Sequence, residues 1–317
     1  MATTPAQLTR GAPIPRRLMA WAGERFPPAV AVLSFLIYST GWLTGRALTH
    51  PGRLSVSVLD AAAFVAVWAY FLMLRVFDEH KDFARDSLNF PDRVLQRGLV
   101  TLDHLKLVGA VAIAVQLGVS LLEDHGVGRV TVWWLLLMAW SLLMAREFFV
   151  GAWLERRLVL YAFSHQLAMP LLMLWIAQMG AGDRALPADV IWLCVCGIGF
   201  AFALEVARKV RAPEDERDGV DSYTRSLGVR GAPLAVAVLL VVAAGAGALL
   251  LHGTGVRSAV AFACVALAPL PGISASAAFL RRPVAKAAKN VENGTGIAVL
   301  VLLVVLSVAI LGSRGVS

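Results

Sequence analysis

The chain has 317 residues, 58% of them hydrophobic and 16% charged, with a mean hydropathy of +0.72. That is too apolar for an ordinary water-soluble domain and marks a polytopic membrane protein. The formal net charge of +8 is divided among many short polar segments rather than gathered in one, which argues against a nucleic-acid-binding protein.

The first 26 residues are polar and basic (Arg10, Arg16, Arg17, Arg25) and read as a cytoplasmic N-terminal segment without a cleavable signal peptide. Residues 27–317 read as one membrane domain. A span needs about 20 apolar residues, and nine such stretches follow in order. Their approximate limits are 27–49, 54–76, 101–122, 130–150, 158–180, 187–207, 232–252, 257–280 and 291–312. The predicted fold is therefore all-α. Cys194, Cys196 and Cys264 all fall inside predicted spans and read as small buried apolar residues.

Nine spans divide the polar segments between two sides. The N-terminal segment and the segments 75–106, 146–157, 208–230 and 281–289 hold 23 of the 29 lysines and arginines. The other side holds Arg46, Arg53, Arg129, Arg184, Arg257 and Arg314. This asymmetry predicts that the cation-rich loops are cytoplasmic.

Two of those loops are also acidic. After the second span the string DEHKDFARD places Asp78, Asp82 and Asp86 four residues apart, with Glu79 alongside. On a helix such steps stay on one face, and like charges at this spacing repel. A divalent cation with oxygen ligands would relieve that repulsion. After the sixth span come Glu214, Asp215, Glu216, Asp218 and Asp221. Both clusters are interleaved with cations: Arg75, Lys81, Arg85 and Arg93 in one, Arg208, Lys209, Arg211 and Arg217 in the other. Carboxylates that hold Mg²⁺, with Lys and Arg beside them, suit a diphosphate. The oxygen donors, without a clustered His/Cys set, favour Mg²⁺ over zinc.

Other positions carry a weaker signal. Trp68, Tyr70, Phe71, Phe148 and Phe149 could shield a cation through their ring faces, or anchor helix ends at the interface. His165 and Gln166 inside the fifth span could line a polar pocket or bond between helices. Glu147 beside Arg146 reads as a pair reaching the interface.

These residues resemble the UbiA superfamily of intramembrane prenyltransferases. That family has nine transmembrane helices and acidic motifs in the loops after its second and sixth helices. Its first motif is commonly NDxxDxxxD. Here Asp78 stands where the family usually has Asn and Glu79 where it has Asp, while Asp82 and Asp86 match directly. Downstream, PDRVLQRGLVT resembles the family's RPLxxG stretch through Arg93, Leu95 and Gly98, with Val94 in place of Pro. GVDSYTRSLG, Gly219 to Gly228, resembles the family's segment after the second motif. Counting back from Gly219 puts Arg211 and Asp215 at the DxxxD pair, whereas Glu214 and Asp218 form the pair actually spaced by four. Arg156 and Arg157 are similar to a basic pair near the family's diphosphate.

The resemblance implies helices around a central cavity with cytoplasmic acidic loops. It implies Mg²⁺-dependent transfer of an isoprenyl group from a prenyl diphosphate to an aromatic or other lipophilic acceptor in the bilayer. The implied metal ligands are Asp78, Glu79, Asp82, Asp86, Glu214, Asp215 and Asp218, with Asp82, Asp86 and Asp218 central to catalysis. Arg93, Lys209, Arg156 and Arg157 are the implied diphosphate contacts. The implied location is the cell's inner or plasma membrane. Two other readings stay open at this point: a terpene cyclase of the same superfamily, and a non-catalytic transporter or lipid-binding protein.

Overall fold

Backbone N–H and C=O groups cannot go unpaired in lipid, so apolar runs of this length fold as helices. The structure, a computed structural model, describes residues 8–50, 52, 55–217 and 221–314. It is all-helical, and each of the nine predicted stretches is built around helix. Among the described residues eight helices are long and apolar enough to cross a membrane, and Arg129–Ala145, with 17 residues, is a shorter ninth.

The described chain divides into two compact units. The first contains residues up to Phe35 and Ser57–Gly126. Its helices are α1 (Ile14–Arg25), the start of α2 (Pro28–Thr49), α3 (Val58–Lys81), α4 (Phe83–Asn89) and α5 (Leu102–Glu123). Two capping boxes set the starts of the long helices. Ser57 and Asp60 exchange side-chain and backbone bonds at α3, and Thr101 and His104 do so at α5. α3 packs along α5. The N-terminal segment holds a helix, α1, whose Trp21 is buried with Val76, Val94, Leu95, Leu99, Val100 and Leu105. Polar bonds fix it as well: Arg17 Nη1 donates to Leu99 O at 2.8 Å, and Val94 N donates to Glu24 Oε2 at 3.1 Å.

The second unit contains residues 36–56 and the described residues from Val127 onward. After the rest of α2 it comprises α6 (Arg129–Ala145), α7 (Gly151–Glu155), α8 (Leu158–Gln166) and α9 (Ala168–Ala181). Then follow α10 (Ile191–Arg208), α11 (Tyr223–Gly253), α12 (Ala259–Leu267), α13 (Leu270–Arg281) and α14 (Ala285–Arg314). α10 packs on α11, α13 on α14, and α6 on α9. Small residues allow close crossings. A Cβ on Gly45 would collide with the Ala177 carbonyl, and one on Gly180 with the Trp42 carbonyl. Buried hydroxyls find carbonyls inside the bundle: Thr40 Oγ1 lies 2.8 Å from Leu36 O and 3.0 Å from Ser307 Oγ.

The fourth span ends at Ala145, five residues short of its predicted limit. Arg146 and Glu147 leave the helix there, and Glu147, Phe148 and Phe149 turn with φ of 48°, 54° and 59°. Left-handed backbone costs an L-residue about 1–2 kcal/mol. Contacts of Phe148 hold the turn: its ring lies edge-on to Trp140 at 5.2 Å and to His165 at 5.8 Å. Cys194 and Cys196 are buried as expected, whereas Cys264 is exposed because its side of α12 faces outward.

Candidate functional site

The acidic segment begins where α3 leaves its apolar stripe. Tyr70, Met73, Val76 and Glu79 recur every three residues and are all buried. Asp82 interrupts the helix as the C-cap of α3. The i to i−4 ladder nevertheless continues, with Asp82 N donating to Asp78 O and Asp86 N to Asp82 O, each at 2.8 Å. The spacing read from the sequence is thus kept across the break. Side-chain exposure separates the four acids: Asp78 54%, Glu79 1%, Asp82 28% and Asp86 13%.

Each carboxylate lies on an arginine. Glu79 Oε1 accepts from Arg25 Nε at 2.5 Å and from Arg75 Nε at 3.2 Å. Asp86 Oδ2 accepts from Arg93 Nη1 at 2.7 Å and from Arg25 Nη2 at 3.4 Å. Asp82 Oδ1 accepts from Arg85 Nη2 at 2.6 Å, and Asp78 lies 3.7 Å from Arg75. Arg93 also lies over the Phe90 ring at 3.6 Å. The RPLxxG-like stretch now has a physical account. Arg93 binds Asp86, Leu95 is buried beside Trp21, and Gly98 closes the turn at φ 70°. A Cβ at Gly98 would also press on the Arg10 guanidinium.

The second acidic loop follows α10. Lys209 Nζ lies 3.0 Å from Glu205 Oε1, and Arg208 pairs with the other oxygen of the same carboxylate. Glu214 Oε1 accepts from Ala285 N at the start of α14 (3.1 Å), and Asp215 is exposed. Asp218 lies outside the described residues. Glu216 organises the loop: its Oε1 accepts from Ser222 Oγ and Thr224 Oγ1, both at 2.6 Å. Thr224 Oγ1 accepts in turn from Arg211 N at 3.0 Å. Burial pushes the Glu216 carboxyl up. The two hydroxyls and the charges of Arg225 and Arg211 outweigh this and hold it below the ordinary range. Arg211, which falls where a carboxylate was expected, thus helps fix Glu216 instead.

Arg156 and Arg157 follow α7. Arg157 lies over the Trp153 ring at 4.1 Å. Both arginines line a cavity of about 610 Å³ with Leu158, Val159, Leu160, Phe163, Phe202 and Ser226. Two arginines and a serine beside five apolar side chains give this cavity the character of an amphiphile site.

Sequence reading left Arg25, Glu24, Glu205 and the Ser222–Thr224 pair out of the site. For Glu205 a local signal existed, since it stands four residues before Lys209 at a helix end. Arg25 lies 54 residues from Glu79, and no local pattern connects them.

The oxygen donors Asp78, Asp82 and Asp86 suit a hard divalent cation in kind. Glu79 Oε2 adds a buried oxygen with no hydrogen-bond partner among the described residues. Among those residues, no three Asp, Glu, His or Cys side chains are grouped closely enough to hold a metal ion. The arginines occupy the oxygens instead.

Helices of this length and apolarity, with apolar side chains such as Leu107, Val111, Val238, Val241, Val301 and Val308 exposed, define an all-α integral membrane protein. The sequence matches the UbiA prenyltransferase family over residues 36–293, and the chain belongs to that family. Among solved structures it is similar to one describing digeranylgeranylglyceryl phosphate synthase in membranes. The identity is 17% and the TM-score 0.66, covering 93% of this chain and 99% of that one. It is also similar to the apo structure of a UbiA homolog from Aeropyrum pernix K1, at 18% identity and a TM-score of 0.62. That likeness covers 88% of this chain and 98% of the homolog. These likenesses are of fold. No curated protein matches the sequence.

Proposed function

We propose that the chain transfers an isoprenyl group from a prenyl diphosphate to an aromatic or other lipophilic acceptor within the membrane, with Mg²⁺ as cofactor. The observation that carries this reading, beside family membership, is the cavity lined by Arg156, Arg157 and Ser226 together with five apolar side chains. Such a lining suits a phosphorylated head with a hydrocarbon tail, whose burial contributes about 0.8 kcal/mol per CH₂. Arg156, Arg157 and Lys209 would bind phosphate oxygens, each with charge-assisted hydrogen bonds. Asp78, Asp82 and Asp86 would hold Mg²⁺ on the first acidic loop, and Glu214, Asp215 and Asp218 are the expected donors of the second. When bound, the metal would neutralise charge on the departing diphosphate.

In the reaction, the bond from the allylic carbon to the diphosphate oxygen breaks, and its electron pair leaves with the diphosphate. The acceptor forms the new bond to that carbon and gives up a proton to a base. Apolar side chains around the tail would keep water from the allylic cation.

The test is to incubate purified protein and MgCl₂ with prenyl diphosphates, with and without aromatic acceptors. Prenylated acceptor plus diphosphate is the expected result. A hydrocarbon formed without acceptor would instead show a cyclase. No diphosphate release in any mixture would point to a non-catalytic role. Asp82→Ala and Asp86→Ala should each lower Mg²⁺-dependent diphosphate release by about a hundredfold or more.

A further inference from the structure

A second cavity, of about 690 Å³, lies where α12 and the turn before it pack on the last part of α14. It is separate from the cavity of Arg156 and Arg157. α11 carries Ser226 of that cavity near its start and ends at Gly253, two residues before Gly255 of this one. Roughly 40 Å of helix separates them.

Chain order sorts the lining of this cavity along the helices. Arg257 and Ser258 stand just before α12, and Ser313 stands at the end of α14, so the polar side chains gather at one end. Val260 and Cys264 continue the lining along α12, and Val308 and Val304 continue it along α14. From Ser313 back to Val304 the lining extends about 13 Å along the helix. Val260, Val304, Val308 and Cys264 are exposed, so this is an outward groove that faces the bilayer.

The polar end offers donors and no acid. Arg257 Nη1 donates to His252 O and to Val256 O, each at 3.1 Å. The Nε and Nη2 groups of this exposed guanidinium stay available. No acidic side chain lines the cavity. Ser258 caps α12 through Ala261 N at 3.3 Å, and the start of that helix adds partial positive charge at the same end. A ligand that fits brings anionic oxygens to Arg257 and a hydrocarbon chain to the valines. The bilayer around the protein supplies such molecules.

We propose that this groove binds an anionic phospholipid, with its phosphate on Arg257 and one acyl chain between α12 and α14. The proposal stands independently of the prenyl-transfer reading, because no residue is shared between the two cavities.

Cys264 reports on the groove in the unsubstituted protein, since it lines the cavity and is exposed while Cys194 and Cys196 are buried. The measurement is the rate at which N-ethylmaleimide modifies Cys264 in full-length, delipidated protein in detergent, read by peptide mass. Dioleoylphosphatidylglycerol should slow the reaction about fivefold or more. Dioleoylglycerol, which lacks the phosphate, and glycerol phosphate, which lacks the chains, should leave it unchanged. Arg257→Gln should raise the lipid concentration needed for protection about tenfold, as loss of a charge-assisted hydrogen bond implies. Arg257→Lys should keep most of the protection. Arg129→Gln, at an exposed arginine outside the cavity, should match the unsubstituted protein. Equal protection by dioleoylglycerol, or no protection by any lipid, overturns the proposal. So does an Arg257→Gln protein that is protected as well as Arg129→Gln. Protection that rises with protein concentration rather than with lipid overturns it in favour of a second copy of the chain on this face.

Discussion

Glu79 and Asp78 are neighbours in the sequence and opposites in setting. Asp78 points outward, while Glu79 continues the buried stripe of Met73 and Val76 and is charge-paired with Arg25 and Arg75. Removing Glu79 strips a charge-assisted partner from both Arg25 and Arg75, so Glu79→Ala should cost about 2 kcal/mol. Asp78→Ala should cost under about 1 kcal/mol. Denaturant unfolding of both variants in detergent measures the difference. Spacing made Asp78, Asp82 and Asp86 legible as a set. The separate role of Glu79 was not legible, because its partner comes from a distant segment. Glu216 carries the pH prediction. A carboxyl held below its ordinary value of 4.5 stabilises the fold above that pH, and the contribution is lost as pH falls through the lowered value. Glu216→Gln should therefore lower Tm at pH 7, by about 1–2 kcal/mol of stability. Only as the pH is taken below 4.5 and on through the lowered value should the two proteins converge. A gap that persists or widens on acidification contradicts this account.

At the scale of elements, composition located all nine apolar helices but missed their interruptions. The fifth span breaks at Leu167, and the cause stands three residues later. Pro170 has no N–H for the Gln166 carbonyl, and its ring crowds that carbonyl. Pro269 marks the break between α12 and α13 in the same way. Those prolines are readable in the sequence; the bends they produce depend on neighbours that accept them. α1 was missed for a different reason. Its charged residues look like a topology signal, and its burial depends on Trp21 meeting a turn some 70 residues later. The crossing of α2 and α9 gives a sharper test. A methyl group on Gly45 has nowhere to go but into the Ala177 carbonyl, which belongs to rigid helix. Gly45→Ala should therefore destabilise by about 1–3 kcal/mol. The same change at Gly118, where nothing lies within 4 Å, should not destabilise. Thermal unfolding of the two variants side by side checks the contrast.

For the molecule as a whole, the distribution of charge carries information that no single helix does. Membrane insertion orients a chain by where its lysines and arginines lie, and the span Ala188–Arg208 shows the gradient locally. Arg208, Lys209, Arg211 and Arg217 follow it, whereas Arg184 alone stands in the short segment before it. The segment after α10 should therefore face the cytoplasm. This can be tested with single cysteines at two exposed sites, Asp183→Cys and Arg217→Cys, after Cys194, Cys196 and Cys264 are replaced. In intact cells a membrane-impermeant maleimide should label the cysteine at 183 and spare the one at 217, and permeabilisation should expose the second. The reverse pattern would turn the second acidic loop outward. The Glu216 network and Lys209 would then meet the wrong compartment for a cytoplasmic diphosphate, and the proposed reaction would have to draw its substrate from the other side.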